Sequence, residues 1–138
     1  MQQVRLTLPM IPNMELTASK TACAMGEQIG LSADKIDEVQ MAVVEACINA
    51  FEHSSSQDRE VRVLLQVLEA DDAPTGLQIV IQDHGVGFTV EQRHRGSRDR
   101  PEGPQKRGFG LMIIDGLMDD VDIRSSAEGT TVVMRKML

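Results

Sequence analysis

A chain of 138 residues, 41% of them apolar, is long enough for one domain with a real core. Its net charge of −7 and pI near 4.9 exclude a general nucleic-acid binder, and the lack of any apolar run of about 18 residues excludes a transmembrane helix. Aromatic residues make up only 2%, so Leu, Ile, Val and nine Met must fill the interior, and Met also leaves a surface that adapts to partners.

The N-terminus, Met1-Gln2-Gln3-Val4-Arg5, lacks the basic and then apolar layout of a signal peptide, so a cytoplasmic protein is expected. Val4, Leu6 and Leu8 alternate with Arg5 and Thr7 before Pro9, which predicts a short strand stopped by proline. After Pro12, Asn13 is placed to cap a helix in which Met14, Ala18, Ala22, Met25 and Ile29 recur at helical spacing, and Gly30 ends it. Ser32 caps the next helix, with Asp34 in its first turn.

That second helix is the longest. Ile36, Val39, Val43, Cys47 and Ala50 form one apolar stripe, and Met41, Val44, Ile48 and Phe51 cover another flank. From Met41 to Phe51 only Glu45 and Asn49 are polar, one turn apart on the same face. An ionised carboxylate in such a setting costs several kcal/mol unless something pairs with it, so Glu45 needs a partner or a task. Cys23 and Cys47 sit singly in apolar helical patterns without metal-ligand spacing, and buried free thiols are expected.

Ser54 to Asp58 is a loop. Val61, Val63, Leu65 and Val67 then alternate into a strand, Asp71 to Gly76 forms a longish turn, and Leu77, Ile79 and Ile81 alternate into a second strand, giving a hairpin. Continuing the period-two count, Asp83 ends the row that faces the core. From Thr89 to Arg107 the composition changes: Arg93, Arg95, Arg98, Arg100, Lys106 and Arg107 fall among Gly and Pro with no periodic face. A mobile basic loop is expected there, suited to cover an anion. Leu111 to Met118 is apolar enough for a buried helix, and Val121 to Arg124 with Thr130 to Lys136 form a final antiparallel pair turning at Ala127-Glu128-Gly129. The order predicts an α+β two-layer structure, a largely antiparallel sheet with helices on one face, in a single domain spanning residues 1–138.

Four features combine into one chemistry: Glu45 with Asn49, Asp83-His84-Gly85-Val86-Gly87-Phe88, Gly108-Phe109-Gly110-Leu111, and Gly129-Thr130. Asp-x-Gly-x-Gly at a strand end lets the backbone turn close against a flat ligand while the carboxylate accepts from an exocyclic amine. Gly-x-Gly at a helix start offers free N–H groups to phosphates. An Asn one turn from a Glu supplies one oxygen for Mg²⁺, which takes the rest from water and phosphate. Together they describe a nucleoside triphosphate site.

These motifs resemble the Bergerat-fold ATPase superfamily of type II topoisomerases, the ninety-kilodalton heat-shock chaperone, sensor histidine kinases and MutL, over nearly the whole chain. Within it the sequence is most similar to the anti-sigma-factor serine kinases of bacterial stress and sporulation switches. The resemblance implies that Asp83 binds the adenine amino group, with Thr130 supporting it through water. It implies that Asn49 holds Mg²⁺, that Gly85 and Gly87 shape the base pocket, and that Gly108, Phe109, Gly110 and Leu111 lie at the phosphates of ATP. Residues 89–107 would be the ATP lid, with Arg107 or Lys106 reaching the γ-phosphate. Glu45 would be the general base taking a proton from a Ser or Thr hydroxyl of a protein substrate. His53 continues the Glu45 and Asn49 stripe at the helix end, and His84 fills a variable position without a chemical role. A histidine kinase would need a phosphoacceptor histidine on a dimerisation helix, and neither His53, His84 nor His94 sits in such a segment.

The resemblance also implies partners: a small antagonist (anti-anti-sigma) protein as substrate, a sigma factor to sequester, and a second copy of the chain as a homodimer, with no direct nucleic-acid or membrane contact. The alternative is an ATP-gated binding module with little or no phosphotransfer.

Overall fold

The structure is a computed structural model that describes residues 2–53, 58–84, 93–94, 112–127 and 129–138. Its elements are β1 (Gln3–Pro9), α1 (Met14–Ile29), α2 (Ala33–His53), β2 (Glu60–Ala70), β3 (Ala73–Asp83), β4 (Arg93–His94), β5 (Asp120–Ser126) and β6 (Gly129–Met137), with a helical stretch at 112–117 before β5. The strands form one antiparallel sheet in the order β1-β2-β3-β6-β5-β4.

The period-two rows of the sequence become the buried face of this sheet. Val61, Val63, Leu65 and Val67 of β2, Leu77, Ile79 and Ile81 of β3, and Val132 and Met134 of β6 are all buried, and α1 and α2 pack over them. From α2 come Val39, Val43, Cys47 and Ala50, the stripe expected from 100° per residue. The opposite face of the sheet carries a polar ladder. Gln78 Nε2 donates to Gln66 Oε1 at 2.8 Å, Arg135 Nε donates to Gln78 Oε1 at 2.7 Å, and Arg135 pairs with Asp120. α+β with helices on one face is therefore the observed class.

Local signals set the joints between helices. Gly30 takes φ 96°, its N–H meets Glu27 O and Gly26 O, and Leu31 N–H reaches Gly26 O at 2.9 Å, the crossed pair of bonds that ends a helix at glycine. Ser32 Oγ then accepts from Lys35 N–H at 3.3 Å and caps α2.

Several expectations are corrected. Asn13 stands at the start of α1 but makes no side-chain cap. Its φ of 80° is left-handed rather than extended, so its backbone carbonyl, not its side chain, accepts from Leu16 N–H at 3.1 Å. The β2–β3 connection is not a longish loop: Ala70 pairs with Ala73, and only Asp71 and Asp72, with φ 53° and 64°, make the turn. Pro74 and Gly76 fall inside β3, next to a register shift at Leu68 and Glu69 that accommodates the proline. Arg93 and His94, expected to be loop, pair with Ile123 and Asp122 of β5. β5 runs two residues beyond Arg124, to Ser126. Met41 is 56% exposed, so the second apolar flank of α2 is only partly covered. Cys47 is buried as expected, whereas Cys23 is half-buried.

Candidate nucleotide site

Asp83 is the last residue of β3 and belongs to the buried row, at 5% exposure. In register across β6 stands Thr130, itself buried, and across β5 stands Ser125, whose hydroxyl lies 3.2 Å from Thr130 Oγ1. Carboxylate, hydroxyl and hydroxyl thus sit side by side on three adjacent strands at one end of the core. Buried polar groups in such a row are held for their hydrogen bonds and can present a matched set of acceptors and donors to a polar, flat ligand.

The backbone is shaped around this row. Gly129 opens β6 at φ 140°, and a Cβ there would lie 2.2 Å from Asp83 O and 3.1 Å from His84 Cα. Only glycine lets the β5–β6 turn come this close to the end of β3. His84 is exposed, and its ring accepts from Arg62 Nη1 at 2.7 Å, away from the buried row.

Asn49 is buried in α2 and Glu45, one turn earlier on the same face, is half-buried. Their axial position follows from a tie at the far end of the molecule, where Lys136 Nζ meets Glu38 Oε1 at 2.7 Å. From Glu38 to Asn49 the helix advances about 16 Å at 1.5 Å per residue. From Lys136 back to Thr130 the strand returns about 20 Å at 3.3 Å per residue. α2 runs toward Asp83, because it ends at His53 shortly before β2 starts at Glu60, and the next residue, Val61, pairs with Asp83; Asn49 is thus carried toward the Asp83 and Thr130 end, on the face of the sheet against which α2 packs.

Of the expected site residues the structure describes Glu45, Asn49, Asp83 and Thr130: Asp83 and Thr130 pair at this end, and α2 runs toward it with Asn49 ahead of Glu45, which lies one turn, about 6 Å, farther back. Gly85, Gly87, Arg107, Gly108, Phe109, Gly110, Leu111 and residues 89–107 other than 93–94 lie outside the described residues, as does the side chain of His53. Ser125 lies beyond the strand end expected at Arg124, and the serine pair just before the Ala127-Glu128-Gly129 turn is its only signal in the sequence. The reason for Gly129, its close approach to Asp83, has no signal in the sequence. Burial pushes the Cys47 thiol up to about 12, with the Glu15 carboxylate adding to the effect, and also raises Cys23, so neither thiol is a ready nucleophile.

Comparison with known proteins agrees with the fold. Residues 13–136 match the family model described as the histidine kinase-like ATPase domain. A serine-protein kinase RsbW of Bacillus licheniformis is 32% identical over 127 residues, covering 86% of this chain and 74% of the relative. The RsbW of Bacillus subtilis is 26% identical over 142 residues, covering 98% and 85%. Among solved structures, the RsbU and RsbW domains of a Mycobacterium tuberculosis protein superpose with a TM-score of 0.69 at 20% identity, over 99% of this chain. This chain spans 33% of that protein, so the likeness speaks for the fold alone. The histidine kinase domain of a blue-light activated histidine kinase from Erythrobacter litoralis gives 0.53 at 16%, over 93% of this chain and 64% of that one. No helix among the described residues is long and apolar enough to cross a membrane. With most of its length matched and RsbW identity above 30%, the chain belongs to the histidine kinase-like ATPase domain family, among the RsbW-type serine-protein kinases.

Proposed function

We propose that this protein is an ATP-dependent serine/threonine protein kinase acting as an anti-sigma factor, which phosphorylates a small antagonist protein and sequesters a sigma factor. The observation that carries the reading is the row of buried Asp83, buried Thr130 and half-buried Ser125 at one end of the core, toward which α2 runs with Asn49 and Glu45 on one face.

In this reading Asp83 accepts from the exocyclic amine of adenine, Thr130 orders the water beside it, and Gly85 and Gly87 let the backbone approach the base. Gly108, Phe109, Gly110 and Leu111 receive the phosphates, with Arg107 at the γ-phosphate and residues 89–107 as lid. Asn49 fits Mg²⁺. It is buried and carries an amide oxygen, a hard donor of the kind Mg²⁺ takes. One protein oxygen, completed by water and phosphate, is how Mg²⁺ is commonly held, whereas Zn²⁺ or Ca²⁺ takes three or more protein ligands. Bound there, Mg²⁺ would neutralise charge on the transferred phosphoryl group. Glu45, half-buried and one turn from Asn49, takes the proton of the acceptor hydroxyl.

The 138 residues act as one ATPase domain in the cytoplasm, where a sigma factor meets RNA polymerase, and they pair as a homodimer. The nine Met and the exposed Met41, Met112 and Ile113 suit adaptable protein contacts. A monomer in sedimentation at micromolar concentration would count against the pairing. The kinase reading is tested by incubating the protein with γ-labelled ATP and the small antagonist protein of its own genome. Label on a Ser or Thr of the antagonist is expected. Tight nucleotide binding without any such label would leave an ATP-gated binding module instead.

A further inference from the structure

Lys136 is the one lysine among the buried residues described, at 5% exposure, and it faces the core side of the sheet near the end of β6 farthest from Thr130. Its Nζ donates to Leu117 O, the last carbonyl of the helical stretch 112–117, at 2.6 Å, and pairs with Glu38 Oε1, in the second turn of α2, at 2.7 Å. A charged donor on a helix's terminal carbonyl satisfies a backbone group with no helical partner and complements the dipole. One ammonium thus joins three elements: the strand of Thr130, the helix of Asn49 and Glu45, and the helix that follows Gly108 to Leu111. A second tie, Lys35 Nζ to Met137 O at 3.0 Å, is exposed and holds less firmly.

We infer that Lys136 is a positioning residue for metal handling: it fixes the axial register of α2 against β6, and so the place of Asn49 and Glu45 relative to the adenine row. The end of helix 112–117, by contrast, is also held to β6 by Asp119 N–H donating to Arg135 O at 3.0 Å and Met137 N–H donating to Asp119 Oδ2 at 2.7 Å. The adenine row Asp83, Thr130 and Ser125 lies within the sheet itself and takes its register from strand pairing, not from Lys136. Loosening the tie therefore separates two halves of one ligand. Adenosine should bind as before, while the gain that Mg²⁺ and the triphosphate add is lost. The inference rests on the reading of Asn49 as the Mg²⁺ ligand.

The test compares the wild-type chain with Lys136→Met and Glu38→Gln. Lys136→Met leaves the Glu38 carboxylate, 41% exposed, free to take up water and replaces the buried stem with one of similar volume, so the variant is expected to fold. Glu38→Gln keeps an acceptor at a partly exposed position and serves as the milder variant. Affinities for adenosine and for ATP with and without Mg²⁺ are measured by calorimetry, then phosphoryl transfer at saturating ATP. Lys136→Met should keep adenosine affinity within about twofold and lose on the order of tenfold in the Mg²⁺-dependent part of ATP affinity, with kcat lower by ten- to a hundredfold, the scale of an ångström-sized misplacement. Glu38→Gln should fall between it and wild type. Equal losses for adenosine and MgATP, or none for either, would overturn the inference and reduce Lys136 to a packing role. If Mg²⁺ fails to tighten ATP binding even in wild type, the Asn49 reading fails and this inference falls with it.

Discussion

Gly129→Ala is the substitution whose consequence the structure fixes most closely. The added Cβ would lie 2.2 Å from Asp83 O, 3.0 Å from Asp83 C and 3.1 Å from His84 Cα, all backbone atoms that cannot swing aside. Restoring a normal contact requires the turn and the end of β3 to part by roughly 1 Å or more. Alanine at φ 140° adds backbone strain of about 1–3 kcal/mol. Gly30→Ala is the internal control: Gly30 also has positive φ, at 96°, but nothing lies within 4 Å of its Cβ position. Urea unfolding should therefore show a loss of about 1 kcal/mol for Gly30→Ala and about 2–4 kcal/mol for Gly129→Ala. In the proposed reading the displaced Asp83 should also lose a charge-assisted hydrogen bond to adenine, worth about 1.5–3 kcal/mol, or roughly 10- to 150-fold in ATP affinity. Gly30→Ala, at the other end of the helical layer, should leave that affinity unchanged. Equal stability losses in the two variants, with ATP affinity intact in both, would refute the claim that Gly129 is there to let β6 close on Asp83.

Three more outcomes follow from the same site and core. Asp83→Asn should keep the fold but weaken ATP by about 1.5–3 kcal/mol, read by calorimetry, if the buried carboxylate accepts from the adenine amine as proposed. Ser125→Ala should cost about 1 kcal/mol through its partner Thr130 and a few-fold in ATP affinity, with the loss shrinking in the Thr130→Ala background. Cys47, with its thiol held up to about 12 mainly by burial, should resist thiol reagents at pH 8 until the protein is unfolded. Because the unfolded thiol ionises near its ordinary value of 9.0 and the folded one near 12, this group's contribution is whole below pH 9. It is lost as pH rises toward 12, at about 1.4 kcal/mol per unit, a slope that Cys47→Ala should remove from urea titrations above pH 9.

What the sequence made legible was periodic or tied to a special backbone. The alternation in β2 and β3 placed Asp83 on the core row, the helical spacing placed Glu45 and Asn49 on one face, and Gly30 and Ser32 marked the joint between helices. The misreadings have physical causes of another kind. Asp71 and Asp72 take positive φ without the Asn-Gly or Asp-Gly pair that usually announces a tight hairpin, so the Pro74 and Gly76 beside them looked like the turn. Asn13 entered α1 from the left-handed region, a choice between two conformations that Asn tolerates. Met41 is as apolar as Val43, and only the arrangement of neighbouring elements decides which of them is covered. Lys136 read as one polar end of a strand; its burial depends on Glu38 and Leu117, 98 and 19 residues away, which no local pattern reports.

In the proposed function one face of α2 carries two separate duties, a metal ligand at Asn49 and a proton acceptor at Glu45. Single-turnover phosphoryl transfer to the antagonist protein by Glu45→Gln at saturating MgATP tests it most directly. The account predicts MgATP affinity within about twofold of wild type and a transfer rate lower by about 10²- to 10⁴-fold, the usual worth of a general base. Transfer at the wild-type rate, or loss of nucleotide affinity in step with transfer, would contradict it.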